Sequence, residues 1–191
     1  NFDSEGQVTE VFSIEPAIGG NDTITTDSGA DIILGGQGSD TITAQQGSDI
    51  VLGDSGHAVF NANNVLTSIT TTAPAIGDSD TITTGEGDDI VLGGMAGDTI
   101  DASTETADDD DIVLGDNGSV TFEADGSITQ ATSLTADAGG ADQITTANGD
   151  DIIIGGTAGD TIDAGTDADN NTTRDIVLGD SGTANFDTEG R

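Results

Sequence analysis

Aspartate is the residue type in this chain whose number and spacing could do chemistry. The 191 residues include 37 acidic side chains and only two basic ones, Arg174 and Arg191, for a formal charge of −35. Of the acids, 30 are Asp and 7 are Glu, and the short Asp side chain suits a site close to its own backbone. The chain has no cysteine or lysine and one histidine, His57, which excludes a histidine metal triad and leaves few acid–base groups other than carboxylates. The composition therefore predicts cation binding, and it predicts that the chain is not an enzyme.

The aspartates follow a nine-residue period in three blocks. The first block is Asp22, Asp31, Asp40 and Asp49, the second is Asp80, Asp89, Asp98 and Asp111, and the third is Asp142, Asp151, Asp160 and Asp175. In the first block a glycine lies two residues before each acid, and an aliphatic residue lies two residues after it. Insertions near residues 102–110 and 164–174 lengthen the last step of the second and third blocks. Such a period is typical of a stacked repeat architecture.

Each nonapeptide has the pattern of a six-residue turn followed by a three-residue strand. Strands this short must stack on copies of themselves, at about 4.8 Å, because they bury nothing alone. Two nonapeptides form one flattened coil, so that each turn stacks on the next turn but one. The gap between stacked turns then holds two carboxylates and several glycine carbonyls. An oxygen-seeking divalent cation fits that gap.

This stacking predicts six paired sites, and therefore at least about six bound cations. The predicted pairs are Asp22 with Asp40, Asp31 with Asp49, Asp80 with Asp98, Asp89 with Asp111, Asp142 with Asp160, and Asp151 with Asp175. The glycines predicted to contribute to the sites are Gly35, Gly36, Gly38, Gly93, Gly94, Gly155 and Gly156.

The last turn of each block has a different sequence, "GDSG" or "GDNG", and lacks the acid at its sixth position. Calcium sites against these turns are therefore expected to be half-built. Asp54, Asp116 and Asp180 occupy the second-glycine position of the three turns. Each is either a substitute ligand or a polar turn residue, and the sequence leaves both interpretations open.

Between the blocks, alternating strand patterns surround short turns at Gly6, Asn64 and Gly126, which predicts one β-hairpin beside each roll. The predicted organisation is the hairpin tail of a preceding repeat (1–18), then three super-repeats. These are super-repeat 1 with roll and hairpin (19–76), super-repeat 2 (77–138) and super-repeat 3, truncated at its hairpin (139–191). The chain is thus expected to be a segment of a longer array.

One sheet of the predicted roll has aliphatic residues on its outer face. They are Ile32, Leu34, Ile50, Leu52, Ile90, Leu92, Ile112, Leu114, Ile152, Ile154, Ile176 and Leu178. A soluble monomer does not normally expose an apolar surface of this size. We expect the hairpins to cover most of it, with contact between copies of the chain as the alternative.

The repeat also resembles a known family. "GGQGSDTIT" (35–43) has the pattern G-G-x-G-x-D-x-aliphatic-x, and "GEGDDIVLGG" (85–94) and "NGDDIIIGG" (148–156) match it closely. "GGMAGDTID" (93–101) and "GGTAGDTID" (155–163) shift one glycine by a residue. The pattern resembles the RTX (repeat-in-toxin, haemolysin-type) calcium-binding nonapeptide over about two thirds of the chain. The resemblance implies an all-β fold, a right-handed parallel β-roll with Ca²⁺ between its turns. The cation expected at the six paired sites is therefore Ca²⁺, with at least about six ions bound. It also implies export to a calcium-rich exterior, typically by type I secretion.

With the intervening hairpins, these features predict a calcium-dependent structural segment of a large extracellular or cell-surface protein. It would serve as an adhesin or fibre spacer, or as a filament subunit that contacts neighbouring copies of itself. One alternative is an ice- or surface-binding roll, through the threonines Thr23, Thr25, Thr41, Thr43, Thr81 and Thr83. Another is the secretion and folding tail of an exported enzyme. The negative charge argues against nucleic acid as a partner, and no apolar run is long enough for a membrane span.

Overall fold

The computed structural model describes residues 1–103, 109–134, 139–165 and 174–187. In these ranges the chain forms β-strands and turns without a helix, and the strands make three six-stranded sheets. The insertions near 102–110 and 164–174 lie largely outside the described residues. No helix in the described ranges is long and apolar enough to cross a membrane.

Two of the three sheets are parallel and face each other as the two sides of a β-roll, as predicted. The outer sheet contains β2 (Thr23–Thr25), β4 (Thr41–Thr43), β8 (Thr81–Thr83), β10 (Thr99–Asp101), β14 (Gln143–Thr145) and β16 (Thr161–Asp163), paired in that order. The middle sheet contains β3 (Ile32–Leu34), β5 (Ile50–Leu52), β9 (Ile90–Gly94), β11 (Ile112–Asp116), β15 (Ile152–Ile154) and β17 (Ile176–Leu178), also in that order.

The third sheet is antiparallel and consists of the predicted hairpins. This hairpin sheet contains β1 (Glu10–Phe12), β6 (Gly56–Phe60), β7 (Leu66–Thr71), β12 (Gly118–Phe122), β13 (Ile128–Ser133) and β18 (Thr183–Asn185), again in chain order. β6 pairs with β7 and β12 with β13 as hairpins, and β7 pairs with β12 between hairpins. The hairpins therefore join into one continuous layer.

The first hydrophobic core lies between the outer and middle sheets. The central residue of each three-residue strand points inward, because successive side chains of a strand alternate between its two faces. Ile42 and Ile82 of the outer sheet and Val51 and Val91 of the middle sheet are at most 1% exposed. The threonines that flank Ile42 and Ile82 point away from this core.

The second core lies between the middle sheet and the hairpin sheet. It contains Leu52, Leu92 and Leu114 from the aliphatic face, packed with Ile69 and Val120 of the hairpins, and all five are at most 1% exposed. Burying a leucine side chain contributes about 1.5–3 kcal/mol. The expectation that hairpins cover the aliphatic face is confirmed, and burial on both faces explains the unbroken Ile-Val-Leu runs of the middle sheet.

The roll continues through the points where the hairpins leave it. β4 pairs with β8 in the register Thr41↔Thr81, and β5 pairs with β9 in the register Ile50↔Ile90, although a complete hairpin separates β5 from β8. The three blocks therefore share the same two parallel sheets, with the hairpins set to one side as a third layer.

Candidate metal centre

The turns of the roll form two rows, one along each edge of the parallel sheets. Along one edge of the roll, the residue after each aliphatic triplet of the middle sheet is a glycine, namely Gly35, Gly53, Gly93, Gly115, Gly155 or Gly179, and we call this row the glycine edge. From Gly53, Gly115 and Gly179 the chain continues into the hairpin strands β6, β12 and β18. The turns that lead back from the outer sheet begin with Thr26, Ala44, Thr84, Ala102, Thr146 and Ala164, and we call this row the opposite edge.

Six aspartates form a ladder along the glycine edge. In each step the backbone N–H of one aspartate donates to Oδ1 of the aspartate in the next turn. The N···Oδ1 distances are 2.7 Å for Asp22 to Asp40, 2.7 Å for Asp40 to Asp80, 2.8 Å for Asp80 to Asp98, 2.7 Å for Asp98 to Asp142 and 3.0 Å for Asp142 to Asp160.

The opposite edge has the same kind of ladder. The N···Oδ1 distances are 2.8 Å for Asp31 to Asp49, 2.8 Å for Asp49 to Asp89, 2.9 Å for Asp89 to Asp111, 2.9 Å for Asp111 to Asp151 and 3.3 Å for Asp151 to Asp175. All six pairs that the sequence predicts are thus brought together, three on each edge.

Four further pairs join the blocks, and the sequence reasoning missed them. They are Asp40 with Asp80, Asp98 with Asp142, Asp49 with Asp89, and Asp111 with Asp151. The expectation of half-built sites beside the "GDSG" and "GDNG" turns is wrong for the first two blocks. There the chain returns from the hairpin to the same turn, and Asp80 or Asp142 supplies the missing acid. The sequence did contain a signal for the pairs between blocks 1 and 2. Asp40 and Asp80 are separated by 40 residues, and so are Asp49 and Asp89, so the same insertion shifts both aspartates equally.

Along the glycine edge the second carboxylate oxygen of each inner aspartate has no partner. Oδ2 of Asp40, Asp80, Asp98 and Asp142 is buried without a hydrogen bond. Each Oδ2 lies against the first glycine of its own turn, beside the carbonyl oxygen of the next turn's first glycine. A Cβ built on Gly93, for example, would lie 2.4 Å from Asp98 Oδ2 and 2.1 Å from Gly115 O. The Oδ2 atoms have no donor, whereas a glycine carbonyl beside them can already accept one N–H, as Gly53 O does from Gly36 N at 2.9 Å. A carbonyl oxygen has a second lone pair, so this convergence of carboxylate and carbonyl oxygens has the chemistry of a Ca²⁺ site.

The raised pKa values of these carboxyl groups indicate that their ionised form is unfavourable in the folded chain without a cation. Burial, with a smaller contribution from the neighbouring Asp142 and Asp80 charges, raises the pKa of Asp98 to about 9. Burial raises the pKa of Asp80 and Asp142 to about 8. On the opposite edge burial raises the pKa of Asp111 to about 9. A bound divalent cation would reverse this effect by stabilising the ionised carboxylates.

The ends of both ladders are less enclosed. Asp22 and Asp175 are exposed, and Asp31 and Asp160 are half-buried, whereas the inner members are at most 2% exposed. The reason is that each end turn has a stacked neighbour on one side only. The predicted pairs that involve these four aspartates are therefore more accessible to water than the inner pairs.

Asp54 and Asp116 fasten the hairpins to the roll. Asp54 is 1% exposed, and its Oδ2 accepts the Met95 N–H at 2.6 Å in the following turn, while its carboxylate lies against Gly77 where the chain returns from the hairpin. Asp116 Oδ1 accepts the Gly140 N–H of the returning chain at 2.9 Å, and its Oδ2 accepts from Thr157 of the following turn. Both carboxylates thus bridge a returning segment and the next turn.

The third of these residues, Asp180, is exposed, since no later turn covers it within the described ranges. Only Oδ2 of Asp54 accepts a hydrogen bond, and its Oδ1 is buried without a hydrogen-bond partner. Burial raises the pKa of Asp54 to about 7.

In the three glycine-edge turns that begin with Gly35, Gly93 and Gly155, the second and fourth positions have a left-handed backbone. At the second position φ is 104° in Gly36, 122° in Gly94 and 120° in Gly156. At the fourth position φ is 127° in Gly38, but alanine takes this place in the two turns with a shifted glycine. Ala96 and Ala158 both have a φ of 72°, a conformation that glycine adopts without strain and alanine does not.

A metal ion in these gaps needs main-chain ligands as well as carboxylates. Within the described part of the chain, no three His, Cys, Asp or Glu side chains are grouped so that they could hold a metal ion. Two carboxylates completed by carbonyl oxygens suit a hard cation with six to eight oxygen ligands, such as Ca²⁺, and do not suit zinc.

Comparison with known protein families agrees with this chemistry. The family described as "RTX calcium-binding nonapeptide repeat (4 copies)" matches residues 19–42, 25–59, 76–103 and 138–170, together more than half of the chain. A search of curated proteins finds no match to the chain. The family matches contain all the ladder aspartates except Asp111 and Asp175, and the chain belongs to the RTX calcium-binding nonapeptide repeat family.

Proposed function

We propose that this chain is a calcium-dependent structural segment, which Ca²⁺ ions stiffen by binding between its stacked turns. The observation that carries the proposal is the row of buried, unpartnered Oδ2 atoms that face glycine carbonyls along the glycine edge. Buried polar atoms in folded proteins are nearly always satisfied, so a row of unsatisfied carboxylate oxygens indicates a cation.

The residues proposed to hold calcium are the paired aspartates of the ladders together with the carbonyls of the turn glycines. Bound calcium supplies positive charge that offsets the carboxylates and links one turn to the next. The aspartates keep their Oδ1 atoms on the backbone N–H groups of the preceding turn, so each Oδ2 is held toward the gap. We assign Asp54 and Asp116 a positioning role, because Asp54 accepts the Met95 N–H of the following turn and Asp116 accepts the Gly140 N–H of the chain that returns from the hairpin.

The fold supports a role as a spacer. Each coil adds one strand to each parallel sheet, and each hairpin adds two strands to the third sheet, so the structure lengthens along one axis without changing its cross-section. Sites of this kind, in a charged surface turn, have calcium affinities of about 10⁻⁴–10⁻³ M in extracellular modules. We therefore place the chain outside the cell or at its surface, as a spacer in an adhesin or fibre, where neighbouring copies could contact one another.

The test is calcium-dependent folding. Far-ultraviolet circular dichroism and differential scanning calorimetry on the calcium-saturated chain should show β structure and a cooperative transition. Both should be lost after addition of a chelator. Magnesium at the same concentration is the matched control, and it should not restore the fold, because it demands near-ideal octahedral geometry and gives up water reluctantly. A fully folded β spectrum in excess chelator at pH 7 would contradict the proposal.

One observation favours a second candidate, a flat-surface- or ice-binding roll. Thr23, Thr41 and Thr81 lie in register on adjacent strands of the outer sheet and are exposed. Farther along the same sheet, Gln143 and Asp163 interrupt the threonine pattern. Thermal hysteresis of the calcium-saturated chain would separate the candidates, since a spacer should show none. The third possibility, a secretion and folding tail, would be recognised by a catalytic domain elsewhere in the same gene product.

A further inference from the structure

The two ends of the roll expose the edges of all three sheets. Among the described strands, β1, β2 and β3 form one set of edges, and we call this surface the N-terminal end. The strands β16, β17 and β18 form the other set, and we call that surface the C-terminal end. An open sheet edge presents backbone N–H and C=O groups that can pair with another chain.

The aspartate ladders leave complementary groups at the two ends. In every step of a ladder the N–H of one aspartate donates to Oδ1 of the aspartate in the next coil. At the C-terminal end, the N–H groups of Asp160 and Asp175 donate to no other described residue. At the N-terminal end, the Oδ1 atoms of Asp22 and Asp31 accept from no described residue. One end thus has two donors and the other has two acceptors, at the positions that a further ladder step requires.

Asp180, at the C-terminal end, lacks the partner that its equivalent has inside the roll. Asp116 accepts the N–H of Gly140 at 2.9 Å, and Gly140 lies two residues before the first ladder aspartate of its block. Gly20 lies at the same position of the first block, and both Gly20 and Asp180 are exposed. If the two ends met in the register of the ladders, the Gly20 N–H of one copy would lie at the Asp180 carboxylate of another.

Both ends also expose apolar side chains that are more buried at equivalent positions inside the roll. Val177 is 45% exposed, whereas Val113 at the same position of the middle sheet is 0% exposed. Ile18 is 75% exposed, whereas Ile76, which follows a hairpin between two blocks in the same way, is half-buried. Covering such surface with a second copy is favourable by about 25 cal/mol per Å² of apolar area removed from water.

The joints between blocks show the geometry that a contact between copies requires. There, the coil after a hairpin stacks directly on the coil before it, with Thr41↔Thr81 in the outer sheet. The same register places Thr161 of one copy beside Thr23 of the next, because each of these threonines directly follows a ladder aspartate. It also places β17 beside β3, which are both three-residue aliphatic strands.

In the hairpin sheet the same contact places β18 beside β1 of the second copy. Within the chain, β6 pairs with β7 through Ala58↔Ile69 as the two strands of one hairpin. Ala184 has the position of Ala58 in its repeat, and Val11 has the position of Ile69, since both pair with Ala58 or its equivalent from the preceding hairpin. The contact between copies therefore completes a hairpin from two chains.

This completed hairpin requires one segment to give way. Asn1 and Asn185 both begin the sequence "NFD", and the Asn1 amino group already donates to Glu10 O at 2.7 Å. Asn185 is held on its other side by Gln130 of β13, and Phe186 packs against the second core, whereas Phe2 is 71% exposed. The less enclosed Asn1 and Phe2 are therefore the residues that leave the sheet.

We infer that the C-terminal end of one copy of this chain docks on the N-terminal end of a second copy, in the register of the joints between blocks. The inference rests on the proposed calcium function, because the contact brings Asp160 close to Asp22 and Asp175 close to Asp31. A cation must offset these charges, as proposed inside the roll. The contact joins two different surfaces, so each addition leaves one free end of each kind, and the copies form an open-ended fibre.

The test uses one variant for each end. Val177→Glu places a charge on the C-terminal end, and Ile18→Glu places a charge on the N-terminal end. Leu134→Glu is the matched control, because Leu134 is 46% exposed and lies at the joint between the second and third blocks, where its N–H donates to Asn117 O. With calcium, sedimentation velocity should show oligomers that grow with concentration for the wild-type chain and for Leu134→Glu.

Val177→Glu and Ile18→Glu should each remain monomeric with calcium. Mixed in equal amounts, they should form a dimer and nothing larger, because only one compatible pair of ends remains. Circular dichroism checks that each variant folds. If Val177→Glu does not fold, Asp180→Ala replaces it, since Asp180 is exposed in the single copy. Loss of its bond to Gly20 should weaken association about tenfold, and unchanged association would overturn the inference.

A wild-type chain that folds with calcium but stays monomeric would overturn the inference and leave the calcium function intact. A dimer that does not grow with concentration would also overturn it, as would assembly of either folded end variant alone. A wild-type chain that does not fold with calcium would instead refute the proposed function itself.

Discussion

The most direct consequence of the buried ladders is that calcium-free folding should depend steeply on pH. Burial, together with neighbouring carboxylates, raises the pKa of Asp98 and Asp111 to about 9 from an ordinary value of 3.8. Keeping one such group protonated at pH 7 costs the folded chain on the order of 4 kcal/mol. Two groups together cost as much as the whole stability of many domains, about 5–15 kcal/mol. We therefore expect the chain without calcium to be unfolded at pH 7.

The direction of the effect follows from the raised pKa values. The folded chain holds these protons more tightly than the unfolded chain, so their contribution to stability is complete below pH ~4 and is lost as the pH rises toward 9. Calcium-free protein, prepared with chelating resin at low micromolar concentration, should gain β structure by circular dichroism as the pH falls from 7 toward 4.5. Calcium should remove this dependence at pH 7 by binding the ionised form.

Salt provides the control for this experiment. The formal charge of −35 also opposes folding through general repulsion, and 1 M NaCl screens that repulsion without protonating buried groups. Salt alone at pH 7 should therefore fail to restore the fold. If 1 M NaCl restored it fully, or if the calcium-free chain were folded equally at pH 7 and 4.5, the buried carboxylates would not be the cause.

Three other expectations concern packing, backbone strain and ligand register. Leu92→Ala should lower the free energy of unfolding of the calcium-saturated chain by about 2–5 kcal/mol, because Leu92 is fully buried under the hairpin sheet. Urea titration measures this loss, and it should show a smaller loss for Leu178→Ala, because Leu178 is only partly buried. Ala96→Gly should raise stability by about 1 kcal/mol in the same assay, since φ is 72° at Ala96, and a loss would contradict the strain argument. Asp40→Asn should reduce calcium binding in calorimetry, whereas Asp27→Asn, at an exposed residue outside the period, should not; equal losses would show that the register is wrong.

Local pattern was enough to predict the roll and its ladders within each block. The nine-residue period places Asp22 and Asp40 one coil apart, and a coil of constant length must stack equivalent residues on each other. The aliphatic runs of the middle sheet indicated a surface that needed cover, and the hairpin patterns indicated what could cover it. These features depend on contacts between residues that are close in sequence or separated by one repeat period. Such contacts can be predicted from the periodicity of the sequence.

Other properties depend on where the chain returns after an excursion, and only the tertiary structure decided them. Asp80 completes the turn that begins at Gly53 because the intervening hairpin leaves and re-enters the roll at one edge, and the nonapeptide pattern does not encode that return. The same closure places the Asp54 carboxylate between Gly77 of the returning chain and the Met95 N–H of the following turn.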